Sequence, residues 1–207
     1  FGGSLTASPG AIIAPTMTLA LSGSIINNAQ NLTLPDTFNI TGGSITGNGF
    51  WNTPFSDGSS ININGPGALT IVGLEWYIDR NIFWNRSTSG NNINLNNATL
   101  SIAENFFINN TIAGGAISNI VNGALEVWND GFVSITGNAL TTIQVPTKVS
   151  GFISLTDAAA SLSITDINGL VLGNGGGMGG IGTYIGDVNV LSGGIVAPGL
   201  ASGLGAN

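Results

Sequence analysis

Glu75, Asp79 and Arg80 form the one constellation in this chain whose residue types and spacing could do covalent chemistry. Two carboxyl groups about 5–10 Å apart can act as acid and base, or acid and nucleophile, on a glycosidic bond. Glu126 with Asp130 and Asp157 with Asp166 are the other sequence-near pairs. Ten acidic residues spread over 207 positions are nevertheless read first as solvated turn groups. The remaining catalytic vocabulary is missing. There is no His and no Cys, so nucleophilic triads and zinc sites in their usual forms have no material. The single lysine sits in Pro146-Thr147-Lys148-Val149, which is not a phosphate loop. The nearest phrase to a calcium β-roll, Gly179-Gly180-Ile181-Gly182-Thr183-Tyr184, puts Tyr at the ligand position. The expectation is no catalytic residue, no metal, no cofactor and no enzyme.

Trp76, Tyr77 and Trp84 lie close together and allow two readings. They could form a sugar-stacking platform, or they could cover the core, since large aromatics bring much apolar area. The second carries more weight. Trp51, Phe55, Phe106, Phe107, Trp128, Phe132 and Phe152 are expected to pack in or on the core. Asn31, Asn39, Asn85, Asn97 and Asn109 head Asn-x-Ser/Thr sequons, possible N-glycosylation positions. Chance alone supplies about that many in a chain so rich in Asn, Ser and Thr.

Composition bounds the partners. Charged residues are 6% of the chain, against about 25% in ordinary soluble domains. Hydrophobic residues are 43%, which argues against disorder. A net charge of −7 with three basic residues offers no stripe to neutralise phosphates, so nucleic acid is not an expected partner. No apolar run is long enough for a membrane-spanning helix. The start, Phe1-Gly2-Gly3-Ser4, is not a signal peptide, and the chain reads as a mature product or a segment of something longer.

The elements that must position these residues are short strands. Period-2 alternation recurs in Thr16–Ile25, Phe38–Thr41, Ser60–Asn64, Ala68–Val72 and Asn92–Asn96, broken by Asn-Gly, Pro-Gly, Gly-Gly and Asp-Gly turn signals. Such a pattern fits a β-sandwich or a β-solenoid. Closely spaced turns, asparagines placed to ladder between coils and loosely recurring Gly-Gly-Ser-Ile-Thr phrases favour the solenoid. The expected architecture is a single all-β domain over 1–207 of roughly ten coils, about 20 residues each. Two segments break the grammar. The first, 74–90, holds both arginines and two tryptophans and has no Gly before position 90, and is expected to leave the stack as a helical turn or long loop. The second, 173–182, is a Gly tract, flexible or tightly turning.

Two phrases share a form: Gly2-Gly3-Ser4-Leu5-Thr6-Ala7-Ser8-Pro9-Gly10 and Leu191-Ser192-Gly193-Gly194-Ile195-Val196-Ala197-Pro198-Gly199. Each is Gly-Gly, a short apolar strand, then Pro-Gly. This resembles the passenger-associated repeat of bacterial autotransporters, over about 20 residues at the two ends. The resemblance implies a secreted right-handed β-helix, displayed outside the cell as an adhesin or fibre. If both phrases occupy the same phase of a coil, one molecule's first coil could continue another's last. An uncapped, non-closing contact of that kind yields a filament of identical copies. The expected role is therefore an extracellular or cell-surface structural or adhesive protein, with copies of itself and surface carbohydrate as its expected partners. Two alternatives remain. One is a pilus-like β-sandwich that donates Ala11–Leu21 to its neighbour's sheet. The other is a polysaccharide-acting β-helix centred on Glu75 and Asp79.

Overall fold

The computed structural model describes residues 4–7, 18–21, 23–27, 34–55, 58–86, 92–111 and 118–199. The chain winds through them in successive coils. β1 (Ser4–Ala7) and β2 (Thr18–Leu21) are followed by β3 (Ser24–Asn27) and β4 (Thr37–Ile40). β5 (Gly43–Thr53) and β6 (Ser60–Ile63) lead to β7 (Leu69–Ile78) and β8 (Asn81–Arg86). From there each coil carries three separate strands. They are β9 (Ile93–Asn96), β10 (Thr99–Ile102) and β11 (Asn105–Asn110), then β12 (Ser118–Val121), β13 (Ala124–Val127) and β14 (Phe132–Gly137). β15 (Leu140–Ile143), β16 (Thr147–Val149) and β17 (Phe152–Leu155) precede β18 (Ser161–Ile164), β19 (Leu170–Leu172) and β20 (Gly177–Gly180). The last described coil holds β21 (Thr183–Ile185), β22 (Val188–Val190) and β23 (Ile195–Pro198).

Every strand pairing among the described residues is parallel and joins neighbouring coils. The protein is thus a β-solenoid, and the sandwich alternative falls. A sandwich needs antiparallel hairpins, whereas these turns carry the chain forward to the next face. Thr18–Leu21, the described part of the supposed donor segment, is β2 and pairs with β4 inside the stack. The rest of that segment lies outside the described residues.

Three ladders run along the rod. The first holds β1, β3, the front halves of β5 and β7, then β9, β12, β15, β18 and β21. The second takes the back halves of β5 and β7 and continues through β10, β13, β16, β19 and β22. β5 and β7 turn the corner without a break, which fuses these two ladders into one 14-stranded sheet. Gly73, at φ +73°, makes that corner in β7. The third ladder is a separate nine-stranded sheet from β2 to β23. Its register advances by 18 residues (Gly177 to Ile195) to 27 (Asn105 to Phe132) per coil. Nine levels at the inter-strand spacing make a rod about 40 Å long.

Inside-outside alternation follows from the pleat. β4 and β6 alternate half-buried and buried positions, and β8 does the same except that its outward Asn85 is exposed. The inward residues form continuous columns: Phe38, Ile61, Ile82, Phe106, Val133, Ile153 and Met178 stand one above another in the third ladder. All seven are buried. Outside, asparagine amides repeat the stacking. Asn85 Nδ2 donates to Asn64 Oδ1 at 2.9 Å, Asn109 Nδ2 to Asn85 Oδ1, and Thr136 Oγ1 to Asn109 Oδ1. Asn62 donates to Asn39, Asn105 to Asn81, and Asn122 to Asn94 in the same way. The inter-coil asparagine ladder expected from the sequence is present.

Residues 74–86 do not leave the stack. They complete β7 and form β8, with the same alternating burial as their neighbours. Charge without glycine suggested an excursion, but the two arginines fold inward. Arg80 Nε donates to Pro54 O and Nη1 to Pro35 O, at 2.9 and 2.7 Å, tying three corners together. Burial lowers the Arg80 pKa, with Asp36 opposing. Arg86 lies under Trp84, 5.2 Å from the ring centroid, and Nη2 donates to Asn92 Oδ1. Burial pulls its guanidinium down to about 10. Residues 87–90 lie outside the described residues. The Gly tract at 173–182 contains a regular strand, β20, in the third ladder.

The corner entering the third ladder is a column of glycines: Gly131, Gly151, Gly176 and Gly194 precede Phe132, Phe152, Gly177 and Ile195, which are in register. Backbone bonds link them level to level: Phe152 N donates to Gly131 O, Gly177 N to Gly151 O, and Ile195 N to Gly176 O. The Gly-Gly of the second terminal phrase is one step of this column. The first phrase is not its equivalent: β1 lies in the first ladder and β23 in the third, so the two strands occupy different phases. Residues 1–3 and 8–10 of that phrase lie outside the described residues.

Tyr184, on the last described coil, packs on the core and its hydroxyl donates to Asp187 O at 2.9 Å. Burial, then the Asp187 charge, pushes its pKa up to about 12. A phenol that the fold keeps protonated stabilises it below the ordinary tyrosine pKa of about 10, and that contribution is lost as pH rises through about 12. Tyr77, the other tyrosine, is also raised, by burial and then by Asp79 and Asp130. A titration of phenolate absorbance should therefore show neither group ionising at its ordinary pKa. Tyr184→Phe should remove the component near 12. A full-amplitude transition at the ordinary value in the folded protein would contradict this packing.

Candidate functional site

The second ladder carries the most distinctive outer surface. Its outward register row reads Asn52, Tyr77, Ser101, Glu126, Lys148 and Val171. Phe50 stands beside it on β5. Asp79, Ala103 and Trp128 continue past the strand ends, anchored by Asp79 N to Thr53 O, Ala103 N to Ile78 O and Trp128 N to Ile102 O. Ser101 and Ala103 are small and buried, so the level between Tyr77 and Trp128 presents a dip. Trp128 spans it: its ring meets Tyr77 edge-on, 5.5 Å between centroids and at 87°. Phe50 meets Tyr77 on the other side at 5.9 Å. Phe50 is 42% and Trp128 46% exposed, which is far from a core position.

Carboxylates surround this aromatic strip. Glu75 lies one register row over and accepts weakly from Ser101 Oγ at 3.4 Å. Glu104 has its pKa raised by burial, then by the charges of Asp79 and Asp130, so these three acids share one field. Its Oε2 accepts from Asn105 Nδ2. Glu126 opposes Lys148 across the ladder. Beside Trp128 a shallow hollow of about 170 Å³ is lined by Glu126, Val127, Trp128, Asn129, Lys148 and Ser150. That is below the size of an ordinary small-molecule pocket. Among the described residues no three acidic groups come together as metal ligands.

The residues singled out from sequence divide sharply. Trp76 and Trp84 are at most 1% exposed and cannot be a sugar platform. Trp76 stacks on Trp51 one coil below, 4.8 Å between centroids and 13° from parallel, and its Nε1 donates to Thr53 Oγ1 at 2.7 Å. Trp84 stacks on Phe106. Tyr77, between them in sequence, points outward. Expected core members Trp51 and Phe106 are buried, whereas Phe55 and Trp128 are exposed and Phe107, Phe132 and Phe152 half-buried. Arg80 is not brought to Glu75 and Asp79, because its guanidinium turns inward to the Pro35 and Pro54 carbonyls. Asp157 and Asp166 each accept a backbone N–H two residues on, as turn formers do.

Of the sequons, Asn85 and Asn109 commit their Nδ2 to the asparagine ladder, and Asn39 accepts within it. Asn97 sits exposed in a turn at φ +53°. Asn31 lies outside the described residues. Sequence reasoning missed the pairing of Tyr77 with Phe50 and Trp128. The signal was a coil-length separation between aromatics, and it becomes readable only once the register is known. Comparison with known protein families, curated proteins and solved structures found no match.

Proposed function

We propose that this chain is an exported, non-enzymatic structural and adhesive rod of the cell surface, whose copies stack end to end. The observation that carries this is the uncovered apolar end of the last described coil. Val190 continues the column of Leu172, and Val196 that of Met178, both buried. Yet Val190 is 46% and Val196 47% exposed, with Ile181, Ile185, Leu191 and Ile195 comparably bare. Among the described residues β21, β22 and β23 also have no partner on their outer side, a template for another strand. The strand order supports a second copy as the occupant. The winding leaves β23 in the third ladder and would return next to the first, where β1 lies. The shared phase expected of the two terminal phrases does not hold, so continuation is supported by this ladder order instead. The passenger-repeat resemblance supports export and display.

Sedimentation velocity over a concentration series tests the stacking. Mass should grow with concentration, and electron micrographs should show rods of constant width. Val190→Lys combined with Val196→Lys should hold the protein at the mass of one chain, because two charges would be buried at the joint. A single-chain mass at the highest attainable concentration would overturn the stacking, as would growth that ignores the lysines.

A further inference from the structure

We propose that the Phe50–Tyr77–Trp128 strip is a binding surface for a cationic polysaccharide, a polymer of amino sugars. This deepens the adhesive half of the function above and does not depend on end-to-end stacking. The strip is the outward face of a parallel ladder, and its backbone groups are consumed by neighbouring coils. A peptide could not join it as an added strand, because β-augmentation needs a free edge. A helix would need a groove along the strip, and the hollow beside Trp128 is shallow, at about 170 Å³. What the surface offers is ring faces and edges standing clear of the rod, with hydrogen-bonding side chains beside them. Pyranose chairs match that, with C–H faces to lay on aromatics and hydroxyls to pair with Asn52 and the carboxylates. Charge then selects among sugars. Glu75, Asp79, Glu104, Glu126 and Asp130 border the strip, and Lys148 is the one cation set against them. An ammonium near a Trp or Tyr face gains from the ring quadrupole as well as from the carboxylates. A polymer carrying carboxylates or sulfates would be repelled.

The test uses soluble oligomers of glucosamine, their N-acetylated counterpart, a neutral glucose oligomer and a lysine oligomer of matched charge. Calorimetry gives affinities and tryptophan emission gives location. Of the four tryptophans Trp128 alone is exposed, so a ligand on the strip perturbs that emission selectively. The glucosamine oligomer should bind most tightly. Trp128→Ala should weaken it at least about tenfold, equivalent to about 1.4 kcal/mol. Glu104→Gln with Asp130→Asn should bring the glucosamine and N-acetylated oligomers to equal affinity while circular dichroism stays unchanged. No binding of the glucosamine oligomer would overturn the proposal. Binding indifferent to Trp128→Ala would do the same, as would equal binding of the lysine oligomer. Sedimentation of the same samples reports stacking separately, so the two failures cannot be confused.

Discussion

Gly151→Ala is expected to abolish the stable fold, or to lower the melting temperature by about 10 °C or more. Gly151 sits in the corner column between Gly131 and Gly176. A Cβ there would overlap the carbonyl oxygens of Gly131 and Trp128. The obstacle is backbone on the neighbouring coil, not the end of a flexible side chain. Overpacking that side chains can absorb costs about 1–3 kcal/mol, whereas here the coil itself must shift. Two ladder bonds depend on its staying put: Phe152 N to Gly131 O and Gly177 N to Gly151 O. Ser150→Ala, one residue earlier and free of such contacts, should stay within about 0.5 kcal/mol. The two variants, compared by thermal melts, separate a corner requirement from a generic surface effect. Equal melting temperatures would show that the coils do not approach as closely as described.

Trp76→Ala should be the most costly side-chain truncation, about 3–5 kcal/mol from lost transfer energy and the cavity left behind. Two further losses add to it. Trp51 loses the ring stacked on it at 4.8 Å, an arrangement worth about 0.5–1.5 kcal/mol. The buried Thr53 hydroxyl also loses its donor. Trp76→Phe keeps most of the stack but removes the indole N–H, so it should cost about 1–3 kcal/mol. Guanidinium melts with fitted midpoints measure both. A loss below about 1 kcal/mol for Trp76→Ala would mean that the ring is a surface group, as a sugar platform would be.

The alternating strands, the turn chemistry and the asparagine ladder were legible because they are local: period 2 and Asn or Gly punctuation need only a short window. The path of 74–86 was not. Arg80 and Arg86 read as solvent-facing charges, yet Arg80 is held by carbonyls of Pro35 and Pro54, 45 and 26 positions away. The distinction between Trp76 and Trp128 was equally hidden. Both flank alternating runs, and only the match of Trp76 to Trp51 and Leu100 across coils assigns it inward. Coil length varies enough between levels that no fixed period exposes such partners. The glycine column shows the same limit. Asp130-Gly131-Phe132 and Ser150-Gly151-Phe152 look like unrelated turns until the register aligns them with Gly193-Gly194-Ile195.

The ladder bonds all run along the rod, from one coil to the next. A force applied at the two ends of the chain would therefore load one rung at a time, like a zipper, rather than shear many together. Each coil that peels away would release 18 to 27 residues of slack, roughly 60–90 Å of extended chain. A tethered molecule of this build would yield in steps and lengthen severalfold before its anchor felt the full pull.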